Sequence, residues 1–357
     1  MRNLLPAFFL ACAWFWCIGG FLPVLLDHDF SVVAFWVFFT VNITGAALFG
    51  FVLDSRRRAR FLARFSFLSQ LFSVVVIAYH FVFMAWISTL LNSALPITGF
   101  IAAGSAFFTL RRKLIGLSVL IFMATLALFV IALSYPAPNL EPIPASDGVI
   151  HYVLPLALGF LLAPYFDLTF HRAFAASPNP KVSFFIGFMV LFAILLIGML
   201  YSTSILSAFI TGQGLAHAAL PWLVGLWVMQ MGFTTAAHLC ELEKTPWFER
   251  KFALPAIIVV GLLCGFHLGI DLLAPELTFA FGDLVYRSLL FIIGVVFPVL
   301  LIFGGINARS LIAVAFLTPC YTLGFLVSTD YAPALSLGMA GLAIMMITWR
   351  KSLFQQA

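Results

Sequence analysis

Leu158-Gly159-Phe160-Leu161-Leu162-Ala163-Pro164-Tyr165-Phe166-Asp167-Leu168-Thr169-Phe170-His171-Arg172 is the stretch that decides how this chain is built. It is apolar enough to lie in a bilayer, yet Pro164 removes a backbone hydrogen bond and a carboxylate follows three residues later. Proline at a new helix start with Asp in its first turn is the signature of a helix restarting. The segment reads either as a span broken near its cytoplasmic end or as a kinked helix whose Asp167 reaches the interface beside Arg172. Polar groups left unpaired in hydrocarbon are costly, so those retained mark packing or function.

The rest of the chain fixes the solvent around that stretch. Of 357 residues, 64% are hydrophobic and 9% charged, and the mean hydropathy is +1.14. Soluble domains carry about 25% charged residues, which excludes soluble globular, disordered and fibrous classes. The net charge of +5 does not make a nucleic-acid binder, because the basic residues sit between apolar runs rather than on one face. Forty-two Phe exceed what a core needs and suit a lipid-facing surface. The expected partner is the lipid bilayer.

Apolar runs occupy 4–26, 31–53, 62–87, 94–110, 114–134, 151–174, 183–203, 216–239, 253–273, 284–304, 310–328 and 332–349. Each is close to the roughly 20 residues that cross the hydrocarbon layer. The first is too long for a signal-peptide core and is taken as a span. If the amino terminus is cytoplasmic, every one of the 18 Lys and Arg except Arg287 falls on the cytoplasmic side. Asp27, Asp29, Glu141, Asp147, Asp271, Glu276, Asp283 and Asp330 fall opposite. That is the positive-inside bias. It predicts an all-α polytopic protein of twelve spans with both termini inside, in a bacterial inner membrane. The stiff, proline-rich connection 135–149 separates five spans from those that follow.

Further polar or weak positions lie inside these runs. In span one, Gly19-Gly20 and Pro23 weaken the helix, as close packing or as a break whose free carbonyls bind a cation. In span eight, Thr234 and Thr235 are adjacent hydroxyls one turn beyond Met231. They bond their own helix or serve as hard oxygen ligands. In span nine, Gly261, Gly265 and Gly269 form a stripe for close helix contact, and His267 and Asp271 form an i, i+4 pair. Asn42, Gln70 and His80 stand alone in their spans. Cys12, Cys17, Cys240, Cys264 and Cys320 have neither disulfide nor zinc spacing. No HExxH, GxSxG or P-loop is present, so no catalytic residue and no cofactor is expected.

Twelve spans, weakened first and sixth spans and a long external loop between the halves resemble secondary transporters of the LeuT fold, within the amino acid–polyamine–organocation superfamily. Ala163-Pro164-Tyr165-Phe166-Asp167-Leu168-Thr169-Phe170-His171-Arg172-Ala173 is similar to the sixth core helix of sodium/solute symporters. The resemblance implies a five-plus-five inverted repeat in one transmembrane domain. Its halves would be 1–134 and 150–305, with two additional helices over 308–350. It implies alternating-access symport of a small organic solute held near Gly19, Gly20, Tyr165 and Asp167. It also implies a sodium ion on the carbonyls of Phe15, Ile18 and Met231 and the hydroxyls of Thr234 and Thr235. Asp167 could carry a proton in place of sodium. Two other classes fit the composition: a non-transporting protein derived from a transporter fold, and a haem or metal membrane enzyme. Oligomeric state is not readable.

Overall fold

The computed structural model describes residues 2–30, 32–137, 149–210, 215–244, 278–326 and 331–354. Span nine, with its glycine stripe and the His267–Asp271 pair, lies outside the described residues, as does most of the proline-rich connection. Every regular element among the described residues is a helix. They are α1 (Leu4–Ala13), α2 (Cys17–Phe30), α3 (Val32–Val52), α4 (Ser55–Leu90), α5 (Leu95–Thr109), α6 (Leu114–Leu133), α7 (Val149–Leu162) and α8 (Leu168–Ala176). There follow α9 (Pro180–Phe185), α10 (Ala193–Tyr201), α11 (Thr203–Ile210), α12 (Leu220–Glu243), α13 (Thr278–Phe291), α14 (Phe297–Ile302), α15 (Ala308–Tyr321) and α16 (Ala332–Phe354). The π-helical segments Ile186–Phe192 and Ile292–Val296 carry α9 into α10 and α13 into α14.

Among the described residues, seven helical stretches are long and apolar enough to cross a membrane, or eight if α7 and α8 are one bent span. Apolar side chains such as Leu120, Val130 and Leu337 face outward, more than half exposed. In water that surface would drive association; in hydrocarbon it is the solvated face. The chain is an all-α polytopic membrane protein.

Local chemistry sets the helix ends. Asp54 caps α4, its Oδ1 accepting the Arg57 amide at 2.7 Å. That bond holds the Asp54 carboxyl below its usual range. Asn307 and Ser310 form a reciprocal capping box at α15. Where helices press together, glycine makes the approach possible. A Cβ on Gly45 of α3 would land on the Phe160 carbonyl of α7. One on Gly159 would lie 2.8 Å from the Gly294 Cα.

Both weakened stretches are interrupted, and among the described residues the sixth is the one bent pair of membrane-crossing length. The first is interrupted at Trp14-Phe15-Trp16, between α1 and α2, and not at the glycine pair expected to break it. Gly19 and Gly20 lie inside α2. The reason is steric: a Cβ on Gly20 would sit 3.1 Å from the Trp227 indole nitrogen, so Gly20 serves close packing against α12. The aromatics upstream reach into other helices instead, Trp14 onto α3 and Trp16 toward α4 and α12. The sixth span gives way after Leu162. A 3₁₀ turn, Ala163–Phe166, leads to Asp167 in extended conformation, and α8 then departs at 60°. Asp167 caps α8 rather than lying in its first turn.

Residues that the charge pattern assigns to one side meet one another. Arg172 pairs with Glu241 at 3.4 Å, and Arg111 with Glu243 at 3.0 Å. Arg58 donates to the His171 carbonyl and Arg64 to that of Gly304. On the other side Asp29 accepts from Tyr286 at 2.5 Å and pairs with Arg287 at 3.3 Å. Arg287, the one cation opposite the rest in the charge pattern, thus has its anion.

Candidate functional site

Helix α12 is the post on which both breaks lean. Trp227, Gln230, Thr234, His238 and Glu241 recur every three or four residues, which places them on one helical face. Each reaches a different neighbour. The Trp227 indole donates to the Gly20 carbonyl of α2 at 3.2 Å. Gln230 donates to Thr125 of α6 at 2.5 Å. The Thr234 hydroxyl bonds the Cys12 carbonyl of α1 at 3.1 Å and its own helix at Gln230 at 3.0 Å. His238 Nδ1 bonds the Ser73 hydroxyl of α4 at 2.9 Å, and Glu241 holds Arg172 of α8. Thr235, one residue round, bonds His80 Nδ1 of α4 at 2.9 Å.

At the first break the Trp14 indole donates to Asn42 Oδ1 at 2.7 Å, and the Trp16 indole to the Ala13 carbonyl at 2.9 Å. Asn42 is buried in α3. At the second break Asp167 Oδ1 accepts both the amide and the hydroxyl of Thr169 at 2.7 Å. Asp167 Oδ2 is turned toward His238 Nε2, 3.9 Å away. Both side chains have no exposure at all, and neither of these two atoms has a hydrogen-bond partner. The rings of Trp16, Phe72, Phe297 and Phe166 follow one another in edge or tilted contact and end at the residue before Asp167. The ring of Trp16 also meets His238 edge-on. A carboxylate in such a setting has little water or mobile charge to stabilise it.

The expected solute residues do not come together. Gly20 lies beside Trp227 and Asp167 beside His238. These α12 positions are separated by about 16 Å at 1.5 Å per residue. Tyr165 turns its ring to Phe49 and Phe61, and its carbonyl accepts His171 Nε2 at 2.9 Å. Gly19 is in the first turn of α2. Of the expected sodium ligands, Phe15 is at the first break and Met231 is buried in α12. Ile18 is inside α2, past the break. The carbonyl that meets Thr234 is that of Cys12, three residues before Phe15, because the break comes earlier than the glycines. Thr234 and Thr235 point to different helices, α1 and α4. Among the described residues no group of three or more His, Cys, Asp and Glu is placed to hold a metal ion.

Sequence reasoning left Asn42, His80 and His238 without a role. What identifies them is their polarity in an apolar run; what gives them a purpose is proximity between α3, α4, α8 and α12. Comparison with protein families, with characterised proteins and with solved structures finds no match to this chain.

Proposed function

We propose that this chain is a secondary active transporter that carries a small organic solute across its membrane by alternating access, coupled to a sodium ion or a proton. The observation that carries the reading is the pair of breaks. Two spans far apart in sequence are interrupted inside the apolar core, and both lean on α12 at fully buried polar side chains. Irregular backbone at membrane depth is tolerated only where protein or a water-filled cavity satisfies it, and in transporters such breaks hold the cargo. Gly19, Gly20, Tyr165 and Asp167 remain the proposed solute contacts, reached in turn as α2 and α8 move against α12. For Phe15, Ile18, Met231, Thr234 and Thr235 to act as the sodium ligands, α1 and α2 must shift against α12, because Thr234 now meets the Cys12 carbonyl and Thr235 meets His80.

The same reading extends to twelve spans, a repeat of 1–134 on 150–305, both termini inside and a bacterial inner membrane. The charge bias and the same-side ion pairs support it.

The test is a thermal unfolding screen of the purified protein against small organic solutes, in sodium and in potassium at equal ionic strength. A ligand that binds only the folded state adds about 2.7 kcal/mol at a hundredfold excess over Kd. Solutes that stabilise are then offered to proteoliposomes. Uptake driven by an imposed sodium or pH gradient is expected. Binding with no uptake under either gradient would make the chain a receptor or an inactive relative.

A further inference from the structure

The two unpartnered atoms that face each other across α8 and α12 define a site for one very small cation. Asp167 Oδ1 is occupied by Thr169, and His238 Nδ1 by Ser73. Only Oδ2 and Nε2 are left, 3.9 Å apart and without exposure. Among the described residues, His238 is the only ionisable partner within ion-pairing range of Asp167. A metal ion needs several oxygen ligands, and these two atoms supply one oxygen. A proton needs only a donor and an acceptor. Resting on the transporter reading above, we propose that Asp167 Oδ2 and His238 Nε2 are the proton-coupling site. One proton is shared between them in the closed state and released when α8 tilts away from α12.

The step balances simply. A hydronium ion on the open side gives up its proton and becomes water, and an O–H bond forms at Asp167 Oδ2. Once the two atoms close from 3.9 Å to hydrogen-bonding distance, that O–H donates to the Nε2 lone pair of neutral His238, whose Nδ1–H donates to Ser73. Opening to the other side breaks the O–H bond and returns the proton to water there. No electrons are exchanged. The loaded pair is neutral and can stay buried, whereas the empty carboxylate carries a charge that favours the hydrated, open forms. The site lies on a hinge: Asp167 is the single extended residue between Ala163–Phe166 and α8.

Other titratable groups around the pair are engaged elsewhere. On α8, His171 Nε2 binds the Tyr165 carbonyl and Arg172 pairs with Glu241 of α12. From α4, His80 bonds Thr235 and Arg58 donates to the His171 carbonyl. α9 brings Lys181, α12 also carries Cys240, and α1 brings Cys12, buried and uncharged. α7 brings His151, whose Nδ1 bonds the Ser336 hydroxyl at 2.8 Å, and α3 and α14 bring no ionisable side chain among the described residues.

Infrared difference spectroscopy of the full chain in lipid, titrated with pH, reads protonation of a buried carboxyl directly and needs no solute. The wild type is expected to show a protonated-carboxyl band that titrates. Asp167→Asn should lose it while folding normally, since Asn caps a helix about as well as Asp. Asp167→Glu should keep a shifted band. His238→Gln should keep the band but move its pH midpoint by about one unit or more. A band that survives Asp167→Asn, or one that His238→Gln leaves unmoved, overturns the proposal. Proteoliposome uptake separates the two ideas. A titrating Asp167 with no uptake refutes the transporter reading alone. Sodium-driven uptake unaffected by Asp167→Asn refutes the proton site alone.

Discussion

Trp14 shows how one side chain can hold a broken helix in place. Its indole N–H satisfies the buried Asn42 carbonyl oxygen, and its ring lies 4.8 Å from that of Phe170 beyond the second break. Trp14→Phe keeps an aromatic ring, though a smaller one, and removes the donor to Asn42. The expected loss is about 1–3 kcal/mol in unfolding experiments, recovered in part by adding Asn42→Leu. If the second substitution worsens the first, the bond is not what fixes the break. At this scale the sequence told us which positions were unusual, but not which met. Asp167 was legible because a carboxylate beside a proline in an apolar run has few uses. His80 and His238 were not, because each stands alone in its span. Only the packing of α4, α8 and α12 joins them to Thr235 and Asp167.

At the scale of elements, glycine and capping decide what moves and what stays. Gly45→Ala puts a methyl against the Phe160 carbonyl, a backbone atom that cannot swing aside, so α3 and α7 must separate. A marked fall in melting temperature and in folded yield is expected. Gly225→Ala, in α12 with nothing within 4 Å of the new carbon, should raise stability by about 0.5–1 kcal/mol. Equal effects from the two would contradict the packing described. Asp54 gives a pH signature at the start of α4. Its folded carboxyl is held low by the Arg57 amide. The cap is therefore complete above the ordinary carboxylate range of about 4 and is lost as pH falls through the lowered value. Protection of the Arg57 amide against hydrogen exchange, relative to its intrinsic rate, should fall only in acid, and Asp54→Asn should abolish that dependence. The break in the sixth span was readable from Pro164 and Asp167. That in the first was placed three residues late, because glycine signals both a weak helix and a tight contact. Only the position of Trp227 distinguishes them.

For the whole molecule, composition alone fixes the membrane, and the positive-inside bias is the expectation that divides the loops between its two faces. The same-side pairs Arg172–Glu241 and Arg111–Glu243 agree with that division. Impermeant thiol labelling of single-cysteine variants tests it: Ala137→Cys should react from outside intact cells, and Arg112→Cys only after permeabilisation. What the chain carries is not legible, because the aromatic residues that could select a solute also face lipid and fill the space between helices. On the transporter reading, motion at the two breaks moves a solute uphill. The most direct measurement is accumulation of a stabilising solute in proteoliposomes under an imposed pH or sodium gradient, in wild type and Asp167→Asn. The account predicts uphill accumulation under the pH gradient that collapses when it is dissipated, and that Asp167→Asn abolishes. Solute that only equilibrates in the wild type under either gradient would contradict the transporter reading, whereas accumulation that is equally good in Asp167→Asn would overturn only the part given to Asp167.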